Sequence, residues 1–157
     1  MRRRGGGRRY CFIGAIIEAD PNLPGDSHDG MFGPHFIKES LDIFEGGTRK
    51  CRDSHGMFDT PYFIKWMATL LDALDFYEIK NTFISMDSAS YHTTLPPDTP
   101  KKLNKKATLQ DACTRYGIAF DPSKTKPELW EKLEAHIKAH VPPTIVGMAR
   151  ERGHEVI

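Results

Sequence analysis

The sequence predicts an α/β fold with a small helical insertion, and three observations predict it. Two apolar runs near the start, residues 10–17 and 35–44, have the length and composition of strands. A helical repeat follows, in which Phe63, Trp66, Met67, Leu70, Leu71 and Leu74 fall on one face. A short apolar run, residues 83–86, then stops at a carboxylate, Asp87. Open α/β sheets place their ligands at the carboxyl ends of such strands.

At 157 residues the chain has the length of one domain. Its apolar fraction of 39% and charged fraction of 27% are ordinary for a globular protein. The net charge of +1 conceals an uneven distribution. Arg2, Arg3, Arg4, Arg8 and Arg9 crowd the start, and Lys101, Lys102, Lys105 and Lys106 form a second cluster. Either cluster can meet phosphate, and either can be a solvated tail or loop. The three cysteines, Cys11, Cys51 and Cys113, are widely spaced and form no Cys-x-x-Cys pair. That spacing predicts reduced intracellular thiols, with neither a zinc site nor a disulfide scaffold. No apolar run approaches membrane-spanning length, and the basic start lacks the apolar stretch of a signal peptide. The expectation is a soluble protein without a membrane partner, nuclear or otherwise intracellular and not secreted.

Four segments follow in order: a basic disordered start at 1–9, a core at 10–100, a helical insertion at 101–141 and a return to the core at 142–157. Residues 10–17, broken only by Gly14, read as a strand buried on both faces. Residues 19–34 are rich in Pro, Gly, Asn and Asp and read as a surface connection, since their acids do not match a calcium loop. Residues 35–44 read as a second strand with one exposed face, ended by Gly46 and Gly47. Residues 48–56 are polar, and Asp53 and His55 there read as loop residues. Thr60 and Pro61 open the amphipathic helix as cap and first helical position. The strand ending at Asp87 spans about residues 82–87, and the Pro-rich stretch 95–100 then breaks the chain. Two short helices follow, each opened by a capping-box pattern, Thr108 with Asp111 and Thr125 with Glu128. Gly117 suits the end of the first, and Pro142 and Pro143 end the second. Residues 144–152 read as a further helix and 154–157 as the start of a strand.

Asp87 and His92, five residues apart, are the candidate ligands for a hard metal ion. The small residues Ser88, Ala89 and Ser90 between them let a phosphate or a backbone approach closely. The alternative is that Asp87 caps the following turn and His92 lies on the surface.

The stretch Met86-Asp87-Ser88-Ala89-Ser90-Tyr91-His92 resembles the strand that bears the second catalytic Asp in mariner-type DDE transposases. The family's pattern is close to Asp-Asn-Ala-Ser-x-His, and this sequence departs from it at Ser88. The resemblance runs from about Arg9 to Ile157. It implies an RNase H-like mixed sheet flanked by helices. It also implies DNA strand cleavage and transfer, with three carboxylates holding two Mg²⁺ or Mn²⁺ ions. Transposon ends and target DNA are the implied partners, together with self-association. The pair of short helices resembles the insertion of such transposases and also small SAP-type DNA-binding modules, and Arg8, Arg9, Lys101, Lys102, Lys105 and Lys106 would then meet DNA. Asp87 matches the second carboxylate, and His92 is a candidate metal ligand beside it. The first carboxylate belongs on a strand before Tyr10, where no residue is acidic, and the third belongs beyond a later Pro-Pro-Tyr-His-like turn. Glu151 and Glu155 come too early for the third, and Asp20 and Asp42 lie on or after the wrong strands. The resemblance therefore implies a core truncated at both ends, with little activity alone. The alternative is a non-catalytic, nucleic-acid-binding remnant.

Overall fold

The computed structural model describes residues 9–18, 34–46, 59–87 and 89–157, with backbone alone at 9, 35 and 44–46. The expectations for Arg8 and the rest of the basic start, for residues 19–33, for residues 47–58 with Cys51, Asp53 and His55, and for Ser88 lie outside the described residues. The described elements are mixed α/β, with four α-helices and three two-stranded sheets. The chain divides into two compact units, Met1–Asp87 with Met148–Ile157, and Ser88–Gly147.

In the first unit, residues 10–17 form two strands rather than one. β1 (Arg9–Ile13) pairs antiparallel with β4 (Asp42–Gly46), and β2 (Ile16–Ile17) pairs antiparallel with β3 (His35–Phe36). Ile13 opposes Asp42 and Ile16 opposes Phe36, so residues 14–15 of one strand face residues 37–41 of the other. The longer side bulges into a 3₁₀ turn, Lys38–Ser40. Ser40 bridges the gap. Its hydroxyl accepts the Ala15 N–H at 2.8 Å and donates to the Ile37 carbonyl at 2.6 Å. The Ile37 N–H donates to the Ala15 carbonyl at 2.9 Å. At Gly14 the approach is close, and a Cβ there would stand 3.3 Å from Leu41 Cδ1. Removing the fully buried Ser40 hydroxyl orphans the Ala15 N–H. Ser40→Ala is expected to lower stability by about 1–3 kcal/mol, measured by urea unfolding.

Burial of residues 10–17 on both faces is corrected. Tyr10, Phe12 and Ile16 are exposed, whereas Cys11, Ile13 and Ile17 are half-buried. Alternate side chains point to opposite faces of a pleated strand, and here one face is turned to solvent. Ile43 and Phe36, the cross-strand partners of Phe12 and Ile16, share that exposure.

α1 (Thr60–Phe76) is capped by Asp59 rather than Thr60, with Asp59 Oδ1 accepting the Tyr62 N–H at 2.9 Å. This satisfies one of the donors that a helix start leaves open. The expected stripe is buried at Phe63, Met67, Leu70, Leu71 and Leu74. Trp66 is half-buried, and its indole N–H donates to the Ser40 carbonyl at 2.6 Å, which seats α1 against the bulge.

The strand expected at residues 82–87 forms a ladder only at β5 (Phe83–Ile84), parallel to β6 (Glu155–Val156). It is not a fully buried strand. Phe83, Ser85 and Asp87 are exposed, while Ile84 and Met86 are half-buried. His154 is buried, and its Nδ1 accepts the Thr82 N–H at 3.3 Å. Arg152, just after α4 (Thr144–Glu151), reaches Asp72 and Asp75 of α1 at 2.6 Å each.

The second unit has its own core. α2 (Lys106–Arg115) and α3 (Lys126–His140) bury Leu109, Ala112, Cys113, Leu129, Leu133 and Ile137 against one another. Tyr116, Ile118, Phe120, Trp130 and Val141 line its rim. Burial pushes the Cys113 thiol pKa up. The capping box expected at Thr108 is corrected. The helix begins at Lys106, behind a Lys105 cap that makes no side-chain bond, so Thr108 lies inside the first turn. Lys and Ala favour helix strongly enough to start it earlier. α2 ends as expected, with Gly117 at φ 67° and the Ile118 N–H returning to the Cys113 carbonyl at 2.8 Å. Near the limits of the unit, the Thr144 N–H donates to the Thr94 carbonyl at 2.9 Å.

The box at Thr125 forms as expected. The Glu128 carboxylate accepts the Thr125 N–H at 2.8 Å, the Thr125 hydroxyl at 2.7 Å and the Lys124 ammonium at 2.8 Å. Lys124 foremost, and then Thr125, hold the Glu128 carboxyl down to about 2. A carboxyl lowered by folding stabilises the fold above its unfolded pKa and loses that contribution as pH falls through its folded value. Far-ultraviolet circular dichroism is expected to show a Glu128-dependent loss of helix as pH falls from 4.5 toward about 2. Glu128→Gln should remove that part of the titration.

Candidate functional site

Asp87 ends the first of the two segments of the first unit, three residues beyond β5, and it is exposed. The position follows from the local chemistry. The apolar alternation that makes β5 ends there, and the chain turns into a segment of small residues. His92 belongs to the second unit, in the 3₁₀ turn Ser90–Thr93. It is buried rather than on the surface, and its ring stands edge-on to Tyr91 with centroids 4.5 Å apart. The His92 backbone N–H donates to the Ala89 carbonyl at 3.0 Å.

Other acids are engaged elsewhere. Asp42 Oδ2 accepts the Tyr62 hydroxyl at 2.6 Å, and burial together with that carboxylate pushes the Tyr62 pKa up. Glu155 Oε2 accepts from Arg150 Nε at 3.2 Å. Among the described residues, no three His, Cys, Asp or Glu side chains converge as a metal set. Two divalent ions repel one another strongly at short range, so a carboxylate without such a set does not fit the two-metal arrangement.

The lysine cluster lies in the second unit. Lys101, Lys102 and Lys105 are exposed and Lys106 is half-buried. Lys106 stands close enough to Asp121 to help hold that carboxyl below its usual range, behind the larger effects of the Ser123 N–H and hydroxyl and of Lys124. Asp98, just ahead of the cluster, is taken by Arg115, whose Nη1 lies 2.8 Å from Asp98 Oδ2. Arg115 also lies over the Tyr116 ring, which stacks on His136, which stacks on His140. Arg9 lies in β1. Sequence reasoning missed Lys126, whose Nζ donates to the Leu103 carbonyl at 3.3 Å and so joins the cluster from α3. The signal for it was the basic Lys124-Thr125-Lys126 run inside the capping box.

Among the described residues no helix is long and apolar enough to cross a membrane. No family model, curated protein or solved structure matches the chain.

Proposed function

We propose that this chain is part of a mariner-like DDE transposase or integrase-like core, one that holds DNA and contributes Asp87 as the second of three metal-binding carboxylates. The observation that carries the reading is the placement of Asp87, exposed just beyond a strand that pairs in parallel with a later one. Further support comes from the order of elements. Antiparallel strands, a helix, the Asp87 strand, a helical unit, a helix and a parallel strand suit an RNase H-like mixed sheet. The lysines at 101, 102, 105 and 106 supply phosphate contacts. DNA is the partner, and a nuclear or otherwise intracellular location follows from that substrate.

Mg²⁺ or Mn²⁺ is the metal the resemblance implies. Because the described residues do not assemble its ligands, the chain alone is expected to bind DNA without cutting it. A second reading, binding without catalysis, is favoured by the self-contained core of the unit that carries the lysine cluster. Plasmid nicking with Mg²⁺ or Mn²⁺ tests both. The expected result is intact supercoiled plasmid, with duplex binding unchanged by chelator or by Asp87→Ala. Metal-dependent nicking lost in Asp87→Ala would overturn the inactivity, and absence of duplex binding would overturn the proposal.

A further inference from the structure

We propose that the turn at residues 101–104 is an apolar wedge for duplex DNA. Leu103 enters the minor groove and inserts at a base step while the surrounding lysines hold the phosphates. The proposal rests on the DNA reading above and adds to it the mode of contact.

The turn is firmly tied. The Asn104 N–H donates to the Lys101 carbonyl at 2.9 Å, and Asn104 Oδ1 accepts the Lys101 N–H at 2.5 Å. Lys126 Nζ fixes the Leu103 carbonyl from α3 at 3.3 Å. Lys102 and Leu103 occupy the two central positions and project from a backbone held at both ends. Leu103 is 91% exposed, the most exposed large apolar side chain among the described residues. A single exposed leucine is ordinary on a protein surface. Its setting is what points to a ligand.

Four lysines lie within three residues of Leu103, and a fifth reaches it from α3. Of the nearby acids three are already engaged, while the exposed Asp111 lines one hollow with Lys101 and Asn104. Asp98 is paired with Arg115 and Glu128 with Lys124, while Asp121 lies beside Lys106 and Lys124. Among the described residues no carboxylate forms an ion pair with Lys101, Lys102 or Lys105. The turn therefore gathers positive charge around one exposed apolar side chain on a tied backbone.

Two polyanions could accept that shape, a duplex and an anionic lipid surface. A lipid surface is held by a broad apolar face together with its charges, and a single leucine supplies little of that. A duplex asks for one apolar side chain at a base step, flanked by cations for the phosphates on either side. A narrow minor groove also concentrates negative potential where the lysines sit.

The test uses the full chain and a short duplex carrying a fluorophore pair at its ends, so that affinity and bending are read together. The wild type is expected to bind and to bend the duplex by roughly 20–90°. Leu103→Ala should weaken binding roughly tenfold and abolish the bend, with the salt dependence unchanged. Leu103→Met should retain the bend, since methionine also serves as a wedge. Lys102→Ala should retain the bend but make the salt slope shallower by about 1. A duplex bound without bending, or a Leu103→Ala chain that binds and bends as the wild type does, would overturn the wedge and leave the DNA reading intact. Binding to no duplex at all would overturn both. Leu103-dependent binding to phosphatidylserine vesicles without duplex bending would overturn the wedge in favour of a membrane contact.

Discussion

Replacing Lys101, Lys102, Lys105 and Lys106 together by alanine is expected to weaken duplex binding by roughly 10³-fold near 0.1 M salt. Each lysine that neutralises a phosphate releases condensed counterions, so the slope of log affinity against log salt should become shallower by about 3 to 4. The lower figure applies if Asp121 already screens the half-buried Lys106. Fluorescence anisotropy across a salt series measures both quantities. The fold should survive the change. Lys101, Lys102 and Lys105 are exposed, none of the four belongs to the Leu109–Leu133 core, and alanine favours helix at 106. An unchanged salt slope with retained binding would show that the lysines do not meet phosphate.

Leu133→Ala is expected to destabilise the second unit by about 2–5 kcal/mol. Leu133 is fully buried in α3 and packs in one cluster with Leu109, Ala112, Cys113 and Leu129. Truncation removes apolar burial and leaves a cavity whose walls can relax only in part, because the cluster spans just two helices. The chain's two tryptophans divide between the units, with Trp66 in the first and Trp130 beside the affected core. Urea unfolding in a Trp66→Phe background therefore reads the second unit through Trp130. Leu103→Ala in the same background should leave that transition unmoved, since Leu103 is almost wholly exposed.

The helices were legible because their determinants are local. The α1 stripe follows a 3.6-residue repeat, Glu128 reaches back to Thr125 within one turn, and Gly117 takes the left-handed conformation that ends α2. The strands were legible as apolar runs but not as ladders. The break at residues 14–15 depends on a hydroxyl 25 residues from Ala15, and no periodicity within 10–17 reports that Ser40 fills the gap. The exposure of Tyr10 and Phe12 was hidden for a related reason, since tertiary packing decides which face of an apolar strand is covered. At the candidate site, the residue type of Asp87 could be read directly, whereas the strand expected to reach it stops at Ile84. The potential partners of Asp87 could not be read, because metal ligands converge from elements distant in sequence. The link from Lys126 to Leu103 joins α3 to the turn ahead of α2 in the same nonlocal way.

The hydrogen bond between Thr144 and Thr94 bears on the order in which the chain folds. β5 and β6 must find each other across a long intervening segment, and their ladder is short. Once the second unit has formed and drawn Thr94 to Thr144, the loop to be closed shrinks from about 70 residues to about 20, lowering the entropic barrier by about 1 kcal/mol. The helical unit, rich in local contacts, is the faster to form. It therefore acts as an internal staple for β5. A core variant such as Leu133→Ala should consequently slow the docking of β6, although β6 belongs to the other unit.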